Sequence, residues 1–202
     1  MLCKLFQHAC FALTLIALAG DIESNPGYLT LDDIKTTRGL KIAHLNIRSL
    51  RNKTDSLRLE GIDNKTIDVL TLSETWLDSS TSDAEIKLPG FVCVRQDRIV
   101  AIYVREGLAF RLRSDINTVG HECLWIELIR VKCKPTLICY AYRAPNTDFH
   151  TFISALQDSM ANVDLVKSVV VILGDLNANM MSNSKLPKKD KHELLNFRAP
   201  LT

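Results

Sequence analysis

The segment Asp68-Val69-Leu70-Thr71-Leu72-Ser73-Glu74 is apolar enough for a strand buried on both faces, yet it ends in a carboxylate. Two other apolar segments have the same form. Leu40-Lys41-Ile42-Ala43-His44-Leu45-Asn46 reads as a strand closing on an amide. Residues 168–173 are a nearly continuous β-branched run leading into Gly174-Asp175-Leu176-Asn177. A carboxylate at the end of an apolar strand is costly unless it is solvated, paired or bound to a cation. Oxygen-only ligands of this kind suit a hard ion such as Mg²⁺, which takes one or two carboxylates and fills its shell with water and phosphate oxygens. The competing reading is that each polar residue merely begins a loop.

Strand periodicity continues over residues 99–104, 124–129 and 136–142, and Pro89-Gly90-Phe91 marks a turn. Residues 54–62 read as a short helix. Phe149, Phe152, Ile153, Leu156 and Met160 fall on one helical face, with Asn146 or Thr147 as the expected cap. Many strands and few helices predict an α+β domain with stacked sheets. At 202 residues and 47% hydrophobic content, the chain fits one domain and excludes disorder throughout.

With 25 Lys+Arg against 23 Asp+Glu there is no global charge argument for a polyanionic partner, so any such argument is local. Residues 41–58 carry five basic residues (Lys41, Arg48, Arg51, Lys53 and Arg58) against Asp55 alone. Such a run serves a nucleic-acid backbone or is simply a solvated loop. The six cysteines include no C-x-x-C pair, which argues against zinc, and inert core thiols are expected, with Cys133 and Cys139 in apolar stretches. His44 reads as a packing residue. The adjacent His121, Glu122 and Cys123 are metal-capable types, but neighbours on a strand point to opposite faces, so a structural role is expected.

Six motifs occur in one order: Leu45-Asn46-Ile47-Arg48-Ser49-Leu50, Ser73-Glu74-Thr75-Trp76-Leu77, Leu88-Pro89-Gly90-Phe91, Ala101-Ile102-Tyr103-Val104-Arg105, Tyr140-Ala141-Tyr142-Arg143-Ala144-Pro145-Asn146 and Gly174-Asp175-Leu176-Asn177. In this the chain resembles the endonuclease/exonuclease/phosphatase superfamily. It looks most like the apurinic-type endonuclease domain of non-LTR retrotransposon reverse-transcriptase proteins. The resemblance implies a four-layer α/β/β/α sandwich, here incomplete. It also implies Mg²⁺- or Mn²⁺-dependent cleavage of a DNA phosphodiester, with no small-molecule cofactor. Glu74 would be the principal metal ligand, assisted by Asn46, with Asp175 expected to converge on the same cation. Asp175 would orient or deprotonate the attacking water, Asn177 would hold the phosphate or that water, and Tyr142 would contact the phosphate or the leaving group. Arg48, Arg51 and Arg143 are the expected nucleic-acid contacts. Trp76 would pack beneath the site.

The chain departs from the family pattern in places. Only Ile99 separates Arg98 from Val100, where the family has a glycine-rich turn. The family's later Ser-Asp-His motif has no counterpart before Thr202, and Asp190-Lys191-His192 is too close to Asp175 to replace it. The expectation is therefore a truncated, catalytically impaired copy, whose alternatives are a non-catalytic nucleic-acid-binding remnant or a secreted DNase- or phosphatase-type relative. Domain organisation is read as a leader at 1–27, a partial nuclease domain at 38–180 and a polar tail at 181–202. Within the leader, Lys4, a short apolar run and Ala17-Leu18-Ala19 match a secretory signal, and the run is too short for a stable membrane span. Gly20-Asp21-Ile22-Glu23-Ser24-Asn25-Pro26-Gly27 also resembles 2A-like ribosome-skipping peptides, with Tyr28 in place of their proline. Both readings stand, and with them either a nuclear or cytoplasmic location or export.

Overall fold

The computed structural model describes residues 16–17, 39–59, 66–116, 122–161, 163–164 and 166–177. The rest of the leader, the tail from 178 onward and His121 lie outside the described residues. The chain divides into two compact units, with the boundary between Ala109 and Phe110. The fold is α+β, with two sheets and few helices, as the strand-rich pattern predicts.

In the first unit, β2 (Ile42–Asn46) and β3 (Val69–Ser73) run parallel, with Ile42 opposite Val69 and Asn46 opposite Ser73. Parallel neighbours need a crossover, and α1 (Leu50–Leu59) supplies it. Its buried residues Leu50, Thr54 and Leu57 recur at i, i+4 and i+7, one face of a helix. All five residues of β3 are buried, as its composition requires. Antiparallel β5 (Val100–Arg105) and β4 (Phe91–Gln96) complete a sheet ordered β2-β3-β5-β4. Its core gathers Leu45, Leu57, Leu70, Leu72, Leu88 and Tyr103.

The structure differs from the sequence reading at three points here. The helix starts at Leu50, four residues before the expected 54, because Ser49 and Leu50 donate their N–H groups to the carbonyls of Glu74 and Thr75, each at 2.9 Å. A cap supplied from another part of the chain leaves no local signature. Strand β4 was unanticipated: only Phe91 of its six residues is fully buried, so its apolar signal is weak. The β4–β5 turn closes without glycine because Arg98 takes the left-handed conformation, φ 68°, while Ile99 donates to Gln96 O at 3.1 Å.

In the second unit the sheet order is β1-β9-β8-β7-β6: Ile16–Ala17, Val169–Asp175, Thr136–Tyr142, Glu122–Ile129 and Ala109–Leu112. Strands β8 and β9 are parallel and joined through α2 (Phe149–Met160). Phe149, Phe152, Leu156 and Met160 pack with Trp125, Cys139, Val170 and Ile172. The α2 cap is Asp148, not Asn146 or Thr147. Its Oδ2 accepts from Thr151 N at 2.9 Å and from Thr151 Oγ1 at 3.0 Å, and its charge complements the helix N-terminus. The described cysteines are free. Cys123 and Cys139 are buried, burial pushing the Cys139 thiol well up, whereas Cys133 is exposed in the β7–β8 turn rather than sitting in core. Among the described residues, no helix is long and apolar enough to cross a membrane.

One ion-pair network in this unit sets a pH dependence. Glu127 is buried on β7 and accepts from Arg113 Nη1 at 2.6 Å and from Arg111 Nη2 at 2.9 Å. Burial by itself would raise this carboxyl, but the hydrogen bonds and charge of the two arginines outweigh it and hold the carboxyl below the usual range. A depressed folded-state value contributes stability that is present above the ordinary carboxylate range and is lost as pH falls through the folded value. Thermal melts from pH 7 to pH 3 are therefore expected to show a falling Tm that Glu127→Gln flattens. The same variant costs about 1–3 kcal/mol at neutral pH through the lost charge-assisted bonds. A wild-type acid slope matched by the variant would remove this role for Glu127.

Candidate functional site

Because β2 and β3 are parallel, their C-terminal ends share one edge, with Asn46 opposite Ser73 and Glu74 next in line. The chain turns sharply there. Glu74 has φ 50° and Trp76 φ 52°, left-handed conformations that cost a non-glycine residue about 1–3 kcal/mol each. The loop is held by main-chain bonds along its length: Ile47 N to Ser73 O at 3.1 Å, Ser49 N to Glu74 O at 2.9 Å, Leu50 N to Thr75 O at 2.9 Å and Arg98 N to Leu77 O at 2.8 Å. Arg48 and Ser49 on the facing segment are also left-handed.

This geometry brings two of the expected residues together. Asn46 Nδ2 donates to Glu74 Oε1 at 2.8 Å, which fixes the amide. Asn46 Oδ1 is thereby left buried with no hydrogen-bond partner, as are the hydroxyl oxygens of Ser73 and Thr75 on either side of Glu74. Buried acceptors without partners call for water or a cation. A fixed amide oxygen beside a carboxylate that is 31% exposed is a donor set for a hard divalent ion. Among the described residues no three His, Cys, Asp or Glu side chains gather, so such an ion would keep most of its water. The residues present fit Mg²⁺ or Mn²⁺.

Arg48 is 68% exposed, with Nε 3.8 Å from Glu74 Oε2. Arg51 pairs with Glu85 at 2.9 Å. Two more basic residues of the run are tied to backbone, Lys53 to Ile47 O at 2.5 Å and Arg58 to Lys87 O. Trp76 does not pack beneath anything: it is 63% exposed, and its neighbours Thr75 and Leu77 are the buried ones.

In the second unit, Tyr142 at the end of β8 is flanked in register by Asp175 on β9 and Glu122 on β7. Paired residues of neighbouring strands point to one face, so these three polar side chains form a row. Burial pushes the Glu122 carboxyl up. His121-Glu122-Cys123 gave no hint of this, because the row depends on strand register and not on adjacency. Gly174, φ 140°, lets β9 close on β8: a Cβ there would lie 1.9 Å from Ala141 O.

Beyond Gly174 the chain folds back. Asp175 Oδ1 accepts from Asn177 N at 3.0 Å, and Asn177 has φ 46°. Asn177 Nδ2 donates to Arg143 O at 2.8 Å, and Arg143 N donates to Asp175 O at 3.0 Å. Arg143, expected as a nucleic-acid contact, is instead largely engaged with the chain's own carbonyls. Its side chain is 6% exposed, donates to Leu176 O at 2.7 Å, Asn177 O at 2.7 Å and Thr147 O at 2.6 Å, and lies 5.1 Å from the Phe149 ring centroid. A guanidinium engaged this way positions the Asp175–Asn177 turn and is largely withdrawn from solvent. His44 is buried with Nδ1 2.9 Å from Thr71 Oγ1, in line with a packing role.

No protein-family model matches the sequence, and no curated protein matches it significantly. Solved structures do. The endonuclease domain of TRAS1, a telomere-specific non-LTR retrotransposon, aligns over 79% of this chain and 69% of its own, at 14% identity and TM-score 0.56. The fold is that of the apurinic-endonuclease-like domains. The AP endonuclease LMAP from Leishmania major aligns over 71% of this chain and 56% of its own, at 19% identity and TM-score 0.53. The APE2 catalytic domain of Xenopus laevis aligns over 78% and 67%, at 15% identity and TM-score 0.51. The chain thus spans 56–69% of the length of these three solved chains. At such identities the shared apurinic-endonuclease architecture fixes the order of elements and leaves the chemistry to the residues.

Proposed function

We propose that the chain is a divalent-metal-dependent phosphodiesterase domain acting on DNA, of the kind found in non-LTR retrotransposon endonucleases. The observation that carries this reading is the orphaned, buried Asn46 Oδ1 beside a Glu74 carboxylate held in a left-handed backbone conformation. Strain kept beside an unfilled acceptor marks a site rather than a fold requirement.

Glu74 and Asn46 would hold the cation. When bound, it supplies Lewis-acid polarisation of a phosphate oxygen. Asp175, oriented by the Asn177 N–H on its Oδ1, is the carboxylate that the resemblance assigns to take a proton from the attacking water. The water oxygen would bond to phosphorus as the bond to the bridging oxygen breaks, and that oxygen would leave as an alkoxide that takes its proton from solvent water. The Asn177 amide donates to the phosphate or the water, and the Tyr142 hydroxyl donates to the phosphate or the departing oxygen. Arg48 and Arg51 contact neighbouring phosphates.

Supercoiled plasmid is expected to be nicked in Mg²⁺ or Mn²⁺ and left intact in chelator. Glu74→Gln and Asp175→Asn should each lower the rate by about 10²–10³, the cost of losing one group that stabilises the transition state. Nicking that matches the chelated control at every protein concentration would overturn the catalytic reading. The chain would then be a nucleic-acid-binding domain with weak, steeply salt-dependent affinity.

A further inference from the structure

We infer that Trp76 is a stacking platform for an unpaired nucleobase beside the scissile phosphate, an inference that rests on the nucleic-acid reading above. A tryptophan is ordinarily a burial residue, and this one stands 63% exposed two positions from Glu74. Its exposure is built in. Thr75 and Leu77 on either side are buried, their carbonyls are bound by Leu50 N–H and Arg98 N–H, and the left-handed φ of Trp76 turns the indole outward between them. The loop gives up both backbone comfort and apolar burial to present one flat aromatic surface.

The surrounding charge selects the occupant. Arg48 and Arg98 are exposed near this loop. The Asp78 carboxyl, two residues on, is held below its usual range by the Ser80 hydroxyl and N–H, with Arg51 and Arg98 adding to the effect. An exposed aromatic face on a loop whose main chain is bound by Arg98, and whose Glu74 is paired with the exposed Arg48, matches a base stacked on the ring with phosphates within reach of these cations. Stacking of this kind tolerates any base because every base has a π-face. An apolar protein partner would gain the indole but make no use of the exposed Arg48 on the facing segment.

The chain has two tryptophans, and Trp125 is fully buried, so intrinsic fluorescence reports contact at Trp76. The full chain is titrated in chelator at low salt with an oligothymidylate of about ten nucleotides, a useful length for a single-strand site. A parallel titration uses an oligomer of equal charge built from base-free sugars. The thymidylate is expected to quench the emission. Trp76→Ala should weaken its binding about tenfold or more, and Trp76→Phe or Trp76→Tyr should restore most of it. The base-free oligomer should bind without quenching and equally well to wild type and Trp76→Ala. Equal thymidylate affinity in Trp76→Ala, or equal quenching by both oligomers, overturns the stacking role alone. Failure of both oligomers to bind overturns the nucleic-acid reading and this inference with it.

Discussion

Gly174→Ala is expected to abolish folding of the second unit. The added Cβ would sit 1.9 Å from Ala141 O, 2.9 Å from its carbonyl carbon and 3.0 Å from its nitrogen, all backbone atoms that cannot rotate away. Relief requires moving β9 off β8, which breaks the parallel ladder running from Thr136–Val169 to Tyr142–Asp175. Alanine is also strained at φ 140°. The combined cost exceeds about 4–5 kcal/mol, a large share of a typical domain's 5–15 kcal/mol. Trp125 lies in the affected sheet and Trp76 in the other unit, so red-shifted Trp125 emission and loss of cooperative unfolding are the signature. A variant melting within a few degrees of wild type would show that β8 and β9 separate far more easily than their packing implies.

Arg143→Ala is expected to cost about 3 kcal/mol in urea unfolding, because charge-assisted bonds to three carbonyls disappear together. Arg143→Lys should recover little. An ammonium is a single point donor and cannot span Leu176 O, Asn177 O and Thr147 O as the planar fork does. The same substitution separates the positioning role from the phosphate contact expected from sequence. A lost phosphate contact would leave stability unchanged and shallow the salt dependence of DNA binding by about one unit of slope. A lost clamp lowers stability and leaves that slope alone.

Strand content, the buried character of β3, the α2 helix and the order of motifs were legible because each rests on local periodicity. Asn46 and Glu74 were legible for a related reason: a polar residue ending an apolar strand is visible in one dimension. What escaped depends on contacts between distant segments. The early start of α1 comes from carbonyls of residues 74 and 75, and the burial of Arg143 comes from the 176–177 turn and Phe149. In sequence, Tyr142-Arg143-Ala144-Pro145 looks like a surface loop bearing a free cation. Trp76, which the resemblance placed beneath the site, faces outward for the same kind of reason: its left-handed backbone sits in a turn fastened by the distant Leu50 and Arg98.

The turn that carries Glu74 is fastened through main-chain amides of Ile47, Ser49, Leu50 and Arg98, so its shape does not depend on the side chains at its rim. Positions 76 and 98 can therefore be varied among residues that accept their left-handed backbone while the Asn46–Glu74 contact keeps its geometry, whereas position 48 also touches Glu74. On the proposed function, target preference and cleavage chemistry would be separable traits, and the rim is where a library aimed at changing what the protein grips should be built.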